Sequence, residues 1–573
     1  MPRITRCSYL SINPLLVLIT LTIPGLTGCE STPGTNPDAI TGADGARLYE
    51  GFEGYHRTIS TDSAQAQRWF DQGLQLLYGF NHDEAIRSFQ EAANLDDTCA
   101  MAWWGVAYAS GLHINNPQMT EQQSKQGYEA SREALQRLEY TTPVEQALIL
   151  AVASRYEWPA PESRGHLDVA YAKAMEQAWS WYPDDPDVGA LFAESLMNLQ
   201  PWDMWEAQGV PKGRTLEIAA TLERVIEISP SHPGANHFYI HTMEASLEPE
   251  KAIPSADLLV DLIPGAGHLV HMPAHIYARV GRYAEASDAN VRAVAADRKY
   301  FAKAPAPDFY SMYYVHNLHF LAYAAMMEGR YEVAMQAATD LQNEIPEAFL
   351  RTYTQFADGF MPVGYHVMIR FGRWDDILAQ PVPPEFRHIS RAIHHYARGV
   401  AYSALGHTDE AKAELEHFER EAGLIPEDWR IGNNTGHHVM SIARAMLVGE
   451  IAYREGEYEL AFSTLDEGIE LEEQLVYDEP PGWMQPVRHA KGALLMGNDR
   501  AAEAEQVYRD DLRRNPQNGW ALLGLEQSLE AQDMNAAAAS LATTRRLVWA
   551  RSDVQPTSSC YCQPGQAEND MAR

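Results

Sequence analysis

The sequence predicts an all-α fold, a solenoid of stacked helical hairpins. Two observations carry the prediction. A turn signature recurs as "GRYAEA" (281–286), "GRYEVA" (329–334), "GRWDDI" (372–377), "GHTDEA" (406–411) and "GEYELA" (456–461). Each copy is followed by a helix-spaced stretch that ends near Pro or Asp, with small residues where two helices would touch. Pro230 and Pro264 also mark successive junctions 34 positions apart (264 − 230). A hairpin cannot bury its apolar face alone, so the chain must stack one unit on the next.

In chain order, the first segment is not part of that array. Arg3 and Arg6 precede the apolar run "PLLVLITLTIPGL" (14–26), which ends in "LTGC" (26–29). A positive start, a short apolar core and a small-residue exit make residues 1–28 a secretory signal, too short and too proline-broken to span a bilayer. "LTGC" resembles the lipobox of bacterial lipoproteins, which implies lipidation of Cys29 and an anchor in the cell envelope. Glu30 after the cysteine implies the outer membrane, facing the periplasm. Residues 29–62, rich in Gly, Pro and Thr at their start, read as a flexible tether.

Residues 63–119 carry the first hairpins. In "AQRWFDQGLQLLYGFNHDEAIRSFQEAANLDD", Trp69 and Gly73 stand four apart, and Ala85, Phe89 and Ala92 follow on the second helix. Residues 120–232 are less regular, although "YPDDPDVGALFAESLMNL" again marks a junction. Residues 233–350 form histidine-rich units and 351–550 further repeats. Residues 551–573 are a polar tail, in which Cys560 and Cys562 make "CYC" with no assigned role.

These features together resemble the tetratricopeptide repeat, whose period is 34 residues. The likeness covers most of residues 63–550 and implies a right-handed superhelix. In that family, positions 2, 5, 9 and 12 of each first helix line the concave, ligand-facing surface. Such arrays mostly bind proteins, peptides or small ligands. Within the superfamily the chain resembles an uncharacterised group of lipoproteins with "HPGANHFYIH" and "AGHLVHMPAHIY" segments.

Unit starts at 233, 267 and 315 place His237, His241 and Glu244 at positions 5, 9 and 12. They place His268, His271 and His275 at positions 2, 5 and 9, and His316 and His319 at positions 2 and 5. All seven histidines between 237 and 319 therefore fall on the concave stripe, where chance would put about one within a period of this length. First helices of neighbouring hairpins pack roughly 8–10 Å apart, so imidazoles from three units can converge. Neutral imidazole suits zinc, copper or iron, and this number of ligands suits a mono- or dinuclear site. The stripe could also receive an anionic peptide without metal. If the site is catalytic, Glu244 is its candidate general base or a further ligand. Trp202 and the insertion bearing Phe309, Tyr310, Tyr313 and Tyr314 are candidate walls, and His113 is a candidate outlying contributor.

Composition excludes other classes. The 573 residues carry a formal net charge of -34, with a pI near 4.9 and 46% hydrophobic residues. With no basic stretch to meet phosphates, a nucleic-acid partner is not expected. There is no HExxH helix, P-loop or Gly-x-Ser-x-Gly elbow. The Lys and Asn pattern of chaperone-tail clamps is replaced by histidine. The sequence thus predicts a membrane-anchored groove protein that binds a partner and a transition metal, or alternatively a metal-dependent enzyme.

Overall fold

The computed structural model describes residues 45–206, 209–304 and 309–562. The signal peptide of residues 1–28 and the lipidation site Cys29 lie outside the described residues. Helical hairpins succeed one another along the chain, with one two-stranded antiparallel pairing, Arg430–Ile431 with Asn434–Thr435, among the described residues. The first hairpin is Ala64–Tyr78 with His82–Leu95. The irregular region is also helical: Glu121–Gln136, Pro143–Ala153, Gly165–Trp181, Pro186–Met197 and Thr215–Ile228. Its long connections, 154–164 and 198–214, are what obscure the period.

The turn signature has one physical cause. Gly281, Gly329, Gly372, Gly406 and Gly456 all have φ between 65° and 82°, a left-handed conformation that favours glycine. Five residues later stands the side chain at the helix crossing: Ala286, Ala334, Ile377, Ala411 and Ala461 are each fully buried. The first hairpin obeys the same geometry with a different residue. Phe80 lies five before the buried Ala85 and has φ 57°, a rare and costly conformation for a bulky side chain.

The histidine-bearing helices are Pro233–Met243, the pair Gly267–His271 and Pro273–Arg279, and Ser311–Met327. The middle one is interrupted because Pro273 has no N–H to give Leu269 and so starts a new segment. His271 closes one segment and His275 lies in the next. Among the described residues, no helix is long and apolar enough to cross a membrane.

Two terminal expectations need correction. Residues 46–62 are not a free tether. Ala46, Phe52 and Ile59 are buried, Gln75 Nε2 donates to the carbonyls of Phe52 and Tyr55, and Arg57 bonds Asp185 and Asp187. The composition that read as a linker ends near Gly45, and beyond it an apolar residue every several positions pins the chain to the first hairpin. Nor are residues 551–562 a free tail. Asp553 accepts from the N–H groups of Tyr331 and Glu332, Ser559 is buried against Tyr508 and His489, and Cys560 is bonded to Cys562.

Candidate metal centre

Six of the seven stripe histidines converge, and they do so as two triads. His237, His241 and His268 form one; His271, His275 and His316 form the other. Within each triad, one ring nitrogen from every member lies within 4.8 Å of the others. All but His316 are buried. The triads adjoin, with ring centroids 5.8 Å apart between His241 and His275 and 5.9 Å between His268 and His271.

The hydrogen bonds behind the rings fix which nitrogen is free. His237 Nδ1 lies 2.7 Å from the carbonyl oxygen of Tyr78, which can only accept. His241 Nδ1 lies 2.7 Å from Glu244 Oε1, and His275 Nδ1 is bonded to Glu244 Oε2. His271 Nδ1 lies 2.7 Å from Asn290 Oδ1, while Asn290 Nδ2 is committed to the carbonyl of Ala286. Facing acceptors, all four Nδ1 atoms must carry the proton, and in the neutral rings of His237, His241 and His271 the Nε2 atoms present lone pairs. The Nε2 atoms of His237 and His241, and both ring nitrogens of His268, are buried without a hydrogen-bond partner. His271 and His275 bring their Nε2 atoms to 2.8 Å, and His316 Nε2 stands 3.5 Å from His275 Nε2.

Electrostatics agrees. Burial first, and neighbouring imidazoles after it, hold His237, His268, His271 and His316 well below the usual histidine range. Burial also lowers His241, against the opposing pull of Glu244. Burial works against ionising Glu244 too, but the His275 and His241 imidazoles outweigh it and hold the carboxyl at about 2. Burial thus favours the neutral form of five of the six imidazoles, His237, His241, His268, His271 and His316, beside one carboxylate.

This placement corrects two sequence expectations. Glu244 does not face the meeting point as a general base. Both its oxygens are engaged by Nδ1–H groups, one from each triad, so it orients ligands of both. His319 belongs to neither triad. It is buried against Phe360 with ring centroids 4.9 Å apart, and burial, with the His366 imidazole after it, lowers its pKa to about 3. Three residues along a straight helix turn the side chain by about 300°, enough to point His319 toward the next hairpin while His316 faces the triad.

The walls are aromatic. Phe80 stacks on His113 at 4.3 Å and contacts His237 at 4.6 Å and His268 at 5.6 Å. Trp202 meets His241 edge-on at 5.3 Å and, like Phe80, has a left-handed backbone, φ 59°. From the insertion, Tyr313 lies 4.2 Å from His268, and the Tyr310 hydroxyl accepts from the His268 N–H. Tyr314 turns away to Glu344 and Arg298. Phe320 closes the second triad, 5.3 Å from His271 and 5.4 Å from His275. Sequence reasoning missed Phe80, Asn290 and the Tyr78 carbonyl. A signal for Phe80 was present: it stands where the five recurring turns have glycine.

The class defined by fold and site is a helical-repeat protein with a buried, all-imidazole centre. No protein-family model matches the chain, and no curated protein does. Among solved structures, it is similar to the human IFIT1 dimer with m7Gppp-AAAA at 12% identity and TM-score 0.29, covering 85% of this chain and 91% of that one. It is similar to yeast Tom70 at 10% identity and TM-score 0.29, covering 86% and 99%. The Cut9–Hcn1 hetero-tetramer of APC/C gives 12% identity and TM-score 0.28, covering 88% and 79%.

Proposed function

We propose that the protein is a metalloprotein in which each imidazole triad holds one transition-metal ion, zinc, copper or iron, in a helical-repeat groove. One observation carries the reading: four Nδ1–H groups are tied to acceptors outside the triads, so Nε2 lone pairs are forced together in a buried place. Two Nε2 atoms at 2.8 Å need a metal ion or a proton between or beside them, and the buried Nε2 atoms of His237, His241 and His268, without partners, are costly unless a cation takes them. A ligand histidine whose other N–H is bonded to a carboxylate or carbonyl is the usual support of a metal centre.

Three neutral nitrogens per ion leave a coordination position open, the feature that separates reactive from purely structural sites. His316, the only partly exposed member, puts that opening on the groove side of the second triad. A bound ion would supply Lewis-acid or redox chemistry there. Around it, Glu244 and Asn290 hold the imidazole orientations, and Phe80, Tyr313 and Phe320 exclude water. A partner or small ligand would enter from the groove. The "LTGC" segment supports anchoring of this module to the outer membrane through Cys29.

The test is metal content per chain of the mature, unlipidated protein. Two transition-metal ions per chain are expected. Protein that stays empty when offered zinc, copper(I) and iron(II) would leave only a metal-free binding groove. Loss of membrane partitioning in Cys29→Ser tests the anchor.

A further inference from the structure

One helical turn beyond the second triad the groove holds a separate cavity of about 110 Å³, several waters' worth of space at roughly 30 Å³ each. Arg279, four residues after His275, and Tyr323, seven after His316, line one side; Tyr477, Glu479 and Trp483 of the 475–486 loop line the other. Glu472, Asp478 and Arg514 also line it; the pair that matters is Glu479 and Arg279, which face the space without a direct bond to each other. Glu479 is only 7% exposed, and its Oε2 has no hydrogen-bond partner. Arg279 gives Nε to the carbonyl of Glu244 and Nη2 to that of Ser246. It lies over the Tyr477 ring at 5.7 Å, which leaves Nη1 for the cavity.

An isolated buried guanidinium is expensive to keep out of water, and an isolated buried carboxyl such as Glu479 keeps its proton until a cation pairs with it. Had the cavity evolved for packing, the loop would let them pair directly or replace them with apolar groups. A ligand carrying both charges at short separation satisfies the two at once. Aromatic rings suit its ammonium end, since ring faces attract cations. Arg suits its carboxylate end, offering a planar pair of N–H donors. A free inorganic cation is the competing occupant, since Glu472, Asp478 and Glu479 all line the cavity; the Arg279 and Arg514 guanidiniums oppose it.

We propose that this cavity is a binding site for a small zwitterion of the α-amino acid class, its ammonium on Glu479 and its carboxylate on Arg279. The site stands whether or not the triads hold metal.

The test is calorimetric titration of the full chain, metal-free and metal-loaded, with L-alanine, propylammonium, propionate and calcium. L-Alanine binds in both forms, and the two singly charged analogues bind at least tenfold more weakly. Glu479→Gln weakens L-alanine at least tenfold while the metal content and the helical circular-dichroism signal stay as in the parent. The proposal is overturned if L-alanine does not bind, if propylammonium or propionate binds as well, if calcium alone binds, or if Glu479→Gln binds L-alanine unchanged. Should Glu479→Gln fail to fold, the comparison of L-alanine with its two singly charged analogues on the parent decides alone. Because metal content is measured separately, failure here does not touch the metal reading, nor the reverse.

Discussion

His271 and His275 meet Nε2 to Nε2 at 2.8 Å, while their Nδ1 atoms are held by acceptors on different helices. Asn290 fixes the first and Glu244 the second. Neither ring can turn to relieve the contact without abandoning a buried hydrogen bond. That makes each triad a separable unit with its own supports. His271→Ala is expected to drop the metal content from two ions per chain to one. His237→Ala does the same through the other triad, and the double variant binds none. His319→Ala retains both ions, since its ring faces Phe360. Elemental analysis of the four purified variants decides the assignment.

Glu244 is the one group shared by the triads. In Glu244→Gln the side chain keeps its shape but offers a single acceptor oxygen, and its amide hydrogens face an N–H. One imidazole then loses its acceptor or flips its tautomer. Supporting partners of this kind typically contribute 10–100-fold in metal affinity. The expected result is a loss of about that size, measured by competition with a chromophoric chelator. It should be felt at both ions rather than one. Retention of full affinity at either ion would show that Glu244 is not its support.

Bound metal should also stabilise the fold, because the unfolded chain offers no preformed triad. A ligand present at about 100 times its Kd adds about 2.7 kcal/mol. Removing metal with a chelator is therefore expected to lower the thermal transition, and restoring it to recover the loss. In His237→Ala plus His271→Ala, the transition no longer responds to either treatment.

Much of this was legible in the sequence, for reasons that are physical. The hairpin array shows itself because every turn needs a left-handed residue, and five positions on, a side chain that fills the helix crossing. Gly281 with Ala286 is one instance. The convergence of six of the seven stripe histidines was readable because side chains recur on one helix face at positions 2, 5 and 9. What was not readable depends on contacts between hairpins. The bond from His241 to Glu244 spans three residues and is visible as spacing. The bond from His275 to the same carboxylate spans 31 residues and is set by packing alone. Asn290 lies on a second helix, off the stripe, so its role depends on where that helix rests. His319 failed because a stripe is broader than a point, and a turn of about 300° moves one member off target.

Phe80 carries a cost that its position explains. A bulky residue with φ 57° is strained by roughly 1–2 kcal/mol, and such strain gathers at functional sites. Its ring is what the strain retains, since it covers His113, His237, His241 and His268. Phe80→Ala loses the ring and keeps the strain, at about 3–5 kcal/mol. Phe80→Gly loses the ring and relieves the backbone, so it should be about 1 kcal/mol less damaging. Urea denaturation of both variants measures the difference. A Gly variant less stable than the Ala variant would contradict the backbone assignment.

The loop facing the groove gives stability a pH dependence that can be traced to one residue. Burial, only partly opposed by Arg279, raises the Glu479 carboxyl from 4.5 to about 8. In the unfolded chain the same group titrates near its ordinary value. Between these two values the folded state binds more protons than the unfolded one, so stability falls as pH rises. The fall begins near pH 4.5 and is complete a little above pH 8. A tenfold change in proton affinity on folding is worth about 1.4 kcal/mol, so the contribution is a few kcal/mol. Glu479→Gln cannot ionise and should lose this component. Unfolding free energies of parent and variant at about pH 5 and about pH 8.5, near the two ends of that range, supply the check, with the parent losing more between the two. Asp297 and Asp478, each raised by burial to about 7, remain in both proteins and keep a residual slope of the same sign. Equal losses in the two proteins would mean that Glu479 is already ionised in its cavity, with a counter-charge that the parent fold supplies.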